Sequence, residues 1–271
     1  MLKKLLAALF FFIAFGPKIV LSQPTYTKDF VIDFVWEVKQ IDEFIDRFND
    51  NDSTLINQYN KTNKLAPLTR NSLIKSLFNA ARPDWNITDI VQFIKQVDNK
   101  AAPQYLDFNG DKWYANVNCA ILWNGKPKTV MLKLRIQKLP NGSSKWVIFD
   151  ADAKFLNVNN VANVDQPTIP KPTDNSLFLN PDSHALNFFN IDIISRSPKN
   201  IANFLLPSSD YSVDCSLFIS ECLGNHIKIN SVKSVTYSFF QIKGWDMEIE
   251  QFNRQTKNSG WLINKLIKLP F

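Results

Sequence analysis

Between residues 29 and 49 the apolar side chains Phe30, Phe34, Val38, Ile41, Phe44, Ile45 and Phe48 recur three and four positions apart. That spacing places them on one face and predicts a long amphipathic helix. Residues 69–78 predict a second helix, and residues 86–94 a third with Asn86 as its capping residue. From Lys112 the period falls to two, so that Trp113, Ala115, Val117, Cys119, Ile121 and Trp123 share a face. Asn124-Gly125 is a hairpin signal; Val130, Leu132, Leu134 and Ile136 then alternate, Pro140-Asn141-Gly142 marks another turn, and a last strand begins near Lys145 with Trp146-Val147-Ile148. Helices followed by an antiparallel meander is the order of an α+β domain.

The stretch 157–182 has no period and holds Pro167, Pro170, Pro172 and Pro181, which predicts a linker. Beyond it the plan resumes. Residues 183–194 predict a short helix, and 214–224 a helix with Asp214 as cap and Gly224 as stop. Residues 232–242 predict a strand that turns at Lys243-Gly244 into Trp245, Met247 and Ile249, and Asn258-Ser259-Gly260 precedes Trp261-Leu262-Ile263. An offset of 144 carries Phe44 onto Phe188 and Leu73 onto Leu217, while 115 carries Val130, Leu132, Leu134, Trp146 and Ile148 onto Trp245, Met247, Ile249, Trp261 and Ile263. Agreement in element order, hairpin position and final Trp-x-Ile predicts a duplication. The fall in offset assigns the shortfall of the second copy to residues 82–110, with their extra helix. The expected architecture is two tandem α+β domains, 23–156 and 183–271, each with N-terminal helices packed on a bent antiparallel sheet.

Residues 1–22 carry Lys3 and Lys4, an apolar run over 5–15, and Val20-Leu21-Ser22. They predict a signal peptide cut after Ser22, and hence a secreted or periplasmic protein. Gly16-Pro17-Lys18 ends the run well short of the roughly 20 residues that span a bilayer, so no transmembrane segment is expected after cleavage. The whole chain has 31 basic against 25 acidic side chains, a net charge of +6. Without Lys3, Lys4 and Lys18 the excess halves, and the remaining basic residues do not cluster, which argues against a nucleic-acid partner. With 22 Phe and 7 Trp the chain can bury enough apolar area to fold. Cys215 and Cys222 lie too far apart on a helix or a strand to be bridged, and Cys119, Cys215 and Cys222 all read as buried apolar side chains.

Residues 41–49, a helix ending in Leu77-Phe78, and a terminal hairpin closing on Trp146-Val147-Ile148 resemble the nuclear-transport-factor-like superfamily, the cystatin-like α+β cone, in particular its uncharacterised exported bacterial members. The resemblance covers 27–156 better than 182–269. It implies a long helix in the concave face of a bent sheet in each copy. Because members of that superfamily often pair through their sheets, it also implies that the two copies pack sheet against sheet as an intramolecular pseudo-dimer. It carries no functional residue over: enzymes of the superfamily place an Asp or His inside the cone, and neither His184 nor His226 falls in the first copy's sheet.

Candidate chemistry is sparse. Neither histidine has a second ligand at helical spacing, so no metal site is expected. Residues 107–111 begin like a calcium loop, but Lys112 stands at the glycine position and Asn118 where a bidentate Glu belongs. No nucleophile elbow, phosphate loop or dinucleotide fingerprint is present, and no cofactor is expected. The sequons at Asn51, Asn60, Asn86 and Asn141 are what abundant Asn produces. Trp85, Tyr105, Trp113 and Trp123 offer ring faces for a sugar or an apolar ligand, or belong to the core. Asp150 and Asp152 fall, on a regular strand, on the side of Trp146 and Ile148; they either share the cone as an acid–base pair or mark the strand's emergence into solvent. The reading favoured is an exported non-enzymatic protein that binds an unknown small molecule or protein. The alternative is a cone-type hydrolase or isomerase using Asp150 or Asp152 with Tyr114.

Overall fold

The computed structural model describes residues 28–156, 166–172, 176–181, 188–207, 210–253 and 258–270. Two units are distinguished, Met1–Phe34 and Val35–Phe271, and apart from the range of the first helix all that follows concerns the second. The predicted signal peptide, half of the linker, and His184 with the first residues of the expected 183–194 helix lie outside the described residues.

The first predicted helix is broken. Helix α1 (Lys28–Trp36) gives way to a two-residue strand, β1 (Glu37–Val38), before α2 (Ile41–Asn49). The apolar spacing does not register this break, because its cause is distant: Glu37 and Val38 pair in parallel with Ser259 and Gly260. Gly260 sits at φ 83, and a Cβ there would lie 1.9 Å from the Val38 carbonyl oxygen, so only glycine lets the two backbones approach. Buried Arg47 secures the break by donating to the carbonyls of Trp36 (2.8 Å), Val35 (3.3 Å) and Glu37 (3.4 Å), taking up acceptors that the end of α1 leaves open. Burial pushes its pKa down to about 10, against the opposing pull of Glu43.

Three helices follow: α3 (Leu55–Thr62), α4 (Arg70–Ser76) and α5 (Ile87–Val97), opened by the side-chain caps Thr54, Thr69 and Asn86. Arg70, at the start of α4, draws the ends of α2 and α5 together, donating to the carbonyls of Phe48 (3.1 Å), Val97 (2.9 Å) and Gln104. Helix α6 (Val213–Leu223) is capped by Ser212, whose Oγ accepts from Cys215 N. Asp214 is therefore not the cap; its carboxylate accepts from Ala153 N at 3.3 Å instead. The three cysteines are free and buried, and burial pushes the Cys119 and Cys215 thiols up to about 12.

Six longer strands, β2 (Trp113–Trp123), β3 (Lys126–Lys138), β4 (Ser144–Asp152), β5 (Ile227–Phe239), β6 (Trp245–Phe252) and β7 (Ser259–Lys268), join β1 in one sheet of order β1-β7-β6-β5-β2-β3-β4. Asn124 (φ 48) and Gly125 (φ 75) make the expected tight turn between β2 and β3. Two sheets facing one another were expected. Instead two three-stranded meanders meet edge to edge, with β2 and β5 antiparallel from Trp113↔Phe239 to Trp123↔Ile227. The joint uses backbone groups that two separate sheets would leave open, and it gives α2, α5 and α6 one apolar face to cover.

The helices cross over that joint. Phe44 of α2 meets Phe239 of β5 with centroids 6.1 Å apart, and Phe93 of α5 meets Trp245 of β6 edge-on at 5.6 Å. In return α6 packs on β4, and its Glu221 accepts the indole N–H of Trp123 at 2.6 Å.

The offset of 115 holds in the strands to a fine level. A β-bulge between Lys133 and Leu134 leaves Phe149 as the extra residue of β4, and the bulge between Glu248 and Ile249 leaves Asn264 as the extra residue of β7. Each is the other's position shifted by 115. Beside each bulge sits an ion pair, Lys133–Asp150 at 2.7 Å and Glu248–Lys265 at 3.0 Å, with the signs exchanged. The inner residue of each bulged strand takes two backbone bonds from the opposite half: Ile148 N donates to Phe204 O (2.6 Å) and Ile148 O accepts from Leu206 N (2.9 Å). Ile263 N likewise donates to Leu77 O (2.7 Å), and Ile263 O accepts from Asn79 N (3.1 Å).

The helix offset of 144 does not hold at Leu217. Helix α6 contributes Phe218, Ile219 and Cys222 to the core, as α5 contributes Phe93, Ile94 and Val97 at an offset of 125. The shortfall of the second half therefore falls largely before residue 82: 33 positions separate Phe44 from Leu77, and 16 separate Phe188 from Phe204. Only two short 3-10 turns, Ile191–Ser195 and Asn200–Asn203, occupy that second interval.

Candidate functional site

The six residues singled out from the sequence do not converge. Trp85 lies edge-on to Phe78 and donates to Asn79 O at 2.8 Å. Tyr105 covers the Arg70 guanidinium, 4.3 Å from ring centroid to Cζ. Trp113 is core: it stacks on Phe239 at 4.8 Å and donates to Phe108 O. Trp123 is tied to α6 through Glu221 and lies edge-on to Phe155.

Asp150 and Asp152 fall on the side opposite to Trp146 and Ile148. The bulge at Phe149 shifts the phase of β4 by one residue, so Ala151 takes the buried side and Asp150 faces Lys133 on the outer side. Asp152 pairs with Lys154 at 2.9 Å. Asp150 accepts from the Lys133 ammonium and the Ser212 hydroxyl, and burial alone would raise its pKa. The lysine and hydroxyl contacts outweigh burial, and the carboxyl is held below its usual value. Tyr114, on the same outer face, stacks against Phe240 and lies edge-on to Phe149, both at 5.5 Å. A carboxylate so fixed in its ionised form is poorly matched to acid–base work near neutral pH.

The larger cavity lies elsewhere, where β5 and β6 part. Those strands pair only from Thr236↔Glu250 to Phe239↔Met247, after which β6 stays with β7 as far as Phe252↔Gly260. The opening holds a cavity of about 970 Å³ bounded by residues 230–236, by Glu250, Gln251 and Trp261, and by the segment 188–196. That is the size of small-molecule sites, about 300–1,000 Å³. Its charges balance, with Asp192 and Glu250 against Arg196 and Lys233, and Asp192–Arg196 forms an ion pair at 2.7 Å.

Phe188 stands at the cavity in a left-handed conformation, φ 60, which bulky residues adopt only under constraint from their surroundings. The constraint is visible: its ring packs on Trp146 at 5.2 Å, and the turn leaves the next residue, Phe189, 76% exposed at the rim. Trp261 lines the cavity with a buried indole N–H that has no acceptor among the described residues.

A second cavity of about 580 Å³ lies over the β2–β3 hairpin and includes Asp152, the one sequence-nominated residue that borders either space. The larger site was missed because β5 was expected to begin at 232. The polar run Asn230-Ser231 and Lys233-Ser234, which breaks the alternation, is the signal that marks the strand's open edge. Among the described residues no group of three or more His, Cys, Asp or Glu side chains is placed to hold a metal ion, and no helix is long and apolar enough to cross a membrane.

No protein-family model matches the chain, and neither a curated protein nor a solved structure is similar enough to count as a match.

Proposed function

We propose that this is an exported binding protein whose ligand or partner occupies the cavity between β5 and β6. The observation that carries the reading is that cavity itself: about 970 Å³, charge-balanced, with a strained Phe188 and an exposed aromatic ring at its mouth. Left-handed strain at a bulky residue costs on the order of 1–3 kcal/mol and is retained where the surroundings use it. Export rests on the first 22 residues, with their lysines and short apolar run.

In the same reading the two halves descend from one nuclear-transport-factor-like unit, duplicated in tandem. In place of two separate cones, the copies have merged their sheets and exchanged helices. The matched bulges at Phe149 and Asn264 and the reciprocal bonds at Ile148 and Ile263 support this descent.

Native mass spectrometry of the protein purified from its own host tests the binding reading. A co-purifying small molecule or protein is expected, and it should be lost from a Val235→Trp variant whose indole obstructs the cavity along β5. Host-purified protein that carries nothing, or carries its companion equally well with the indole in place, would sink the idea.

A further inference from the structure

Seven consecutive residues of β5, 230–236, border the cavity. Successive side chains of a strand point to opposite faces, so a cavity lying over one face would touch every second residue. Contact with all seven means that the cavity runs along the strand's edge and meets its backbone.

That edge is open. On the side away from β2, Thr236 begins the pairing with β6, and Ile229 donates its N–H to Ser195 Oγ at 2.7 Å. Between these two closures, residues 230–235 make no backbone bond to any described segment except β2. Six residues at about 3.3 Å each give an edge of about 20 Å, the length of one short extended segment.

We infer that the occupant of this cavity is an extended peptide of about six residues, which adds to the free edge of β5 as a strand in the gap left by β6. The inference rests on the binding reading above and names the class of ligand. An unpaired row of N–H and C=O groups is matched in spacing by another backbone, whereas a sugar or lipid has no such repeat. The edge is also selective: bulges at Lys233 and Asn230 and the lysine itself deter the long, flat strands of chance partners and leave room for a short one. Phe189, exposed at the rim, provides an apolar contact for one side chain of the peptide, and the Trp261 indole N–H is a donor in the wall that no described residue accepts from.

The test uses the protein purified from its host and a panel of capped hexapeptides with Val, Ile or Phe at alternate positions and Ser or Thr between them. Each has a twin N-methylated at alternate backbone amides. Hydrogen exchange followed by mass spectrometry should show at least one hexapeptide slowing exchange over residues 230–235 tenfold or more. Its twin should bind at least tenfold more weakly, and Phe189→Ala should weaken binding about tenfold while leaving the melting temperature of the free protein unchanged.

The peptide assignment is overturned if no hexapeptide binds at about 1 mM, if protection appears elsewhere, or if the twin N-methylated at the amides that would face β5 binds as well as the parent. Soluble oligosaccharides run in the same assay separate the two levels of the argument. Protection of 230–235 by a sugar defeats the peptide but keeps a binding site, whereas no protection by either class, together with a bare host-purified protein, defeats both.

Discussion

The two halves of the sheet share a meander, a bulge and an ion pair, and differ in what closes the space beside their leading strands. In the first half β2 is flanked along its length by β3 and β5, and the loop before it packs Phe108 on Trp113 at 5.6 Å while Asn49 bonds both backbone groups of Leu106. In the second half β5 extends beyond the reach of β6; among the described residues the turn Ile191–Ser195 packs beside the excess, and Ser195 Oγ accepts from Ile229 N–H. The same strand plan therefore gives a filled core on one side and a cavity on the other. The exchange of signs between Lys133–Asp150 and Glu248–Lys265 shows that the bulge tolerates an ion pair in either order.

The largest expected effects sharpen the equivalence of the helices. Phe93 and Phe218, both fully buried at matching positions of α5 and α6, should each cost about 3–5 kcal/mol when replaced by Ala, measured by denaturant unfolding. Values differing by more than a factor of two would break the correspondence.

Next in size is a contrast of two glycines in left-handed backbone. Gly260→Ala drives a methyl into the Val38 carbonyl and should cost about 3 kcal/mol or more, with loss of the β1 pairing. Gly142→Ala, at φ 86 but with open space around it, should cost only about 1 kcal/mol. Equal losses would mean that β1 does not depend on the close approach at Gly260.

The ion pairs give a smaller effect. Lys133→Glu alone should destabilise by about 1 kcal/mol, and Lys133→Glu with Asp150→Lys, which copies the order of the second half, should recover most of that loss. A double variant no better than the single one would show that the local setting fixes the order of signs.

The pH dependence is smallest and follows from Asp150. Its folded pKa is depressed, so its contribution is present above the unfolded carboxylate value of about 3.9 and is lost as pH falls through the lower folded value. Asp150→Asn should therefore flatten the stability profile below about pH 4 and leave its shape near neutrality unchanged. Lys133 is shifted upward by the same pairing, so the pair also loosens as pH rises beyond the usual lysine value.

Much of this fold was legible along the chain. Asn86 caps α5 as its position predicts, Asn124-Gly125 makes the hairpin, and the period of two in β2, β3 and β6 marks the buried face. Arg47 and Arg70 were invisible as structural residues, because an arginine that gathers helix-end carbonyls looks in sequence like one facing solvent. The phase change at Phe149 was equally hidden, and with it the true side of Asp150. The cavity left only a faint trace, the polar stretch in 230–234.

By itself the sequence determined which face of β2, β3 and β6 is buried, where the Asn124-Gly125 hairpin falls, and that the strand plan repeats at an offset of 115. Side-chain periodicity and turn residues are local, and local chemistry suffices to read them. Only the tertiary structure decided which edges meet: β1 with β7, β2 with β5, and, among the described residues, no further strand on the outer edge of β5 from residue 230 to 235. Every strand offers the same N–H and C=O groups along its edges, so the choice among them is made by how the packed elements fit together.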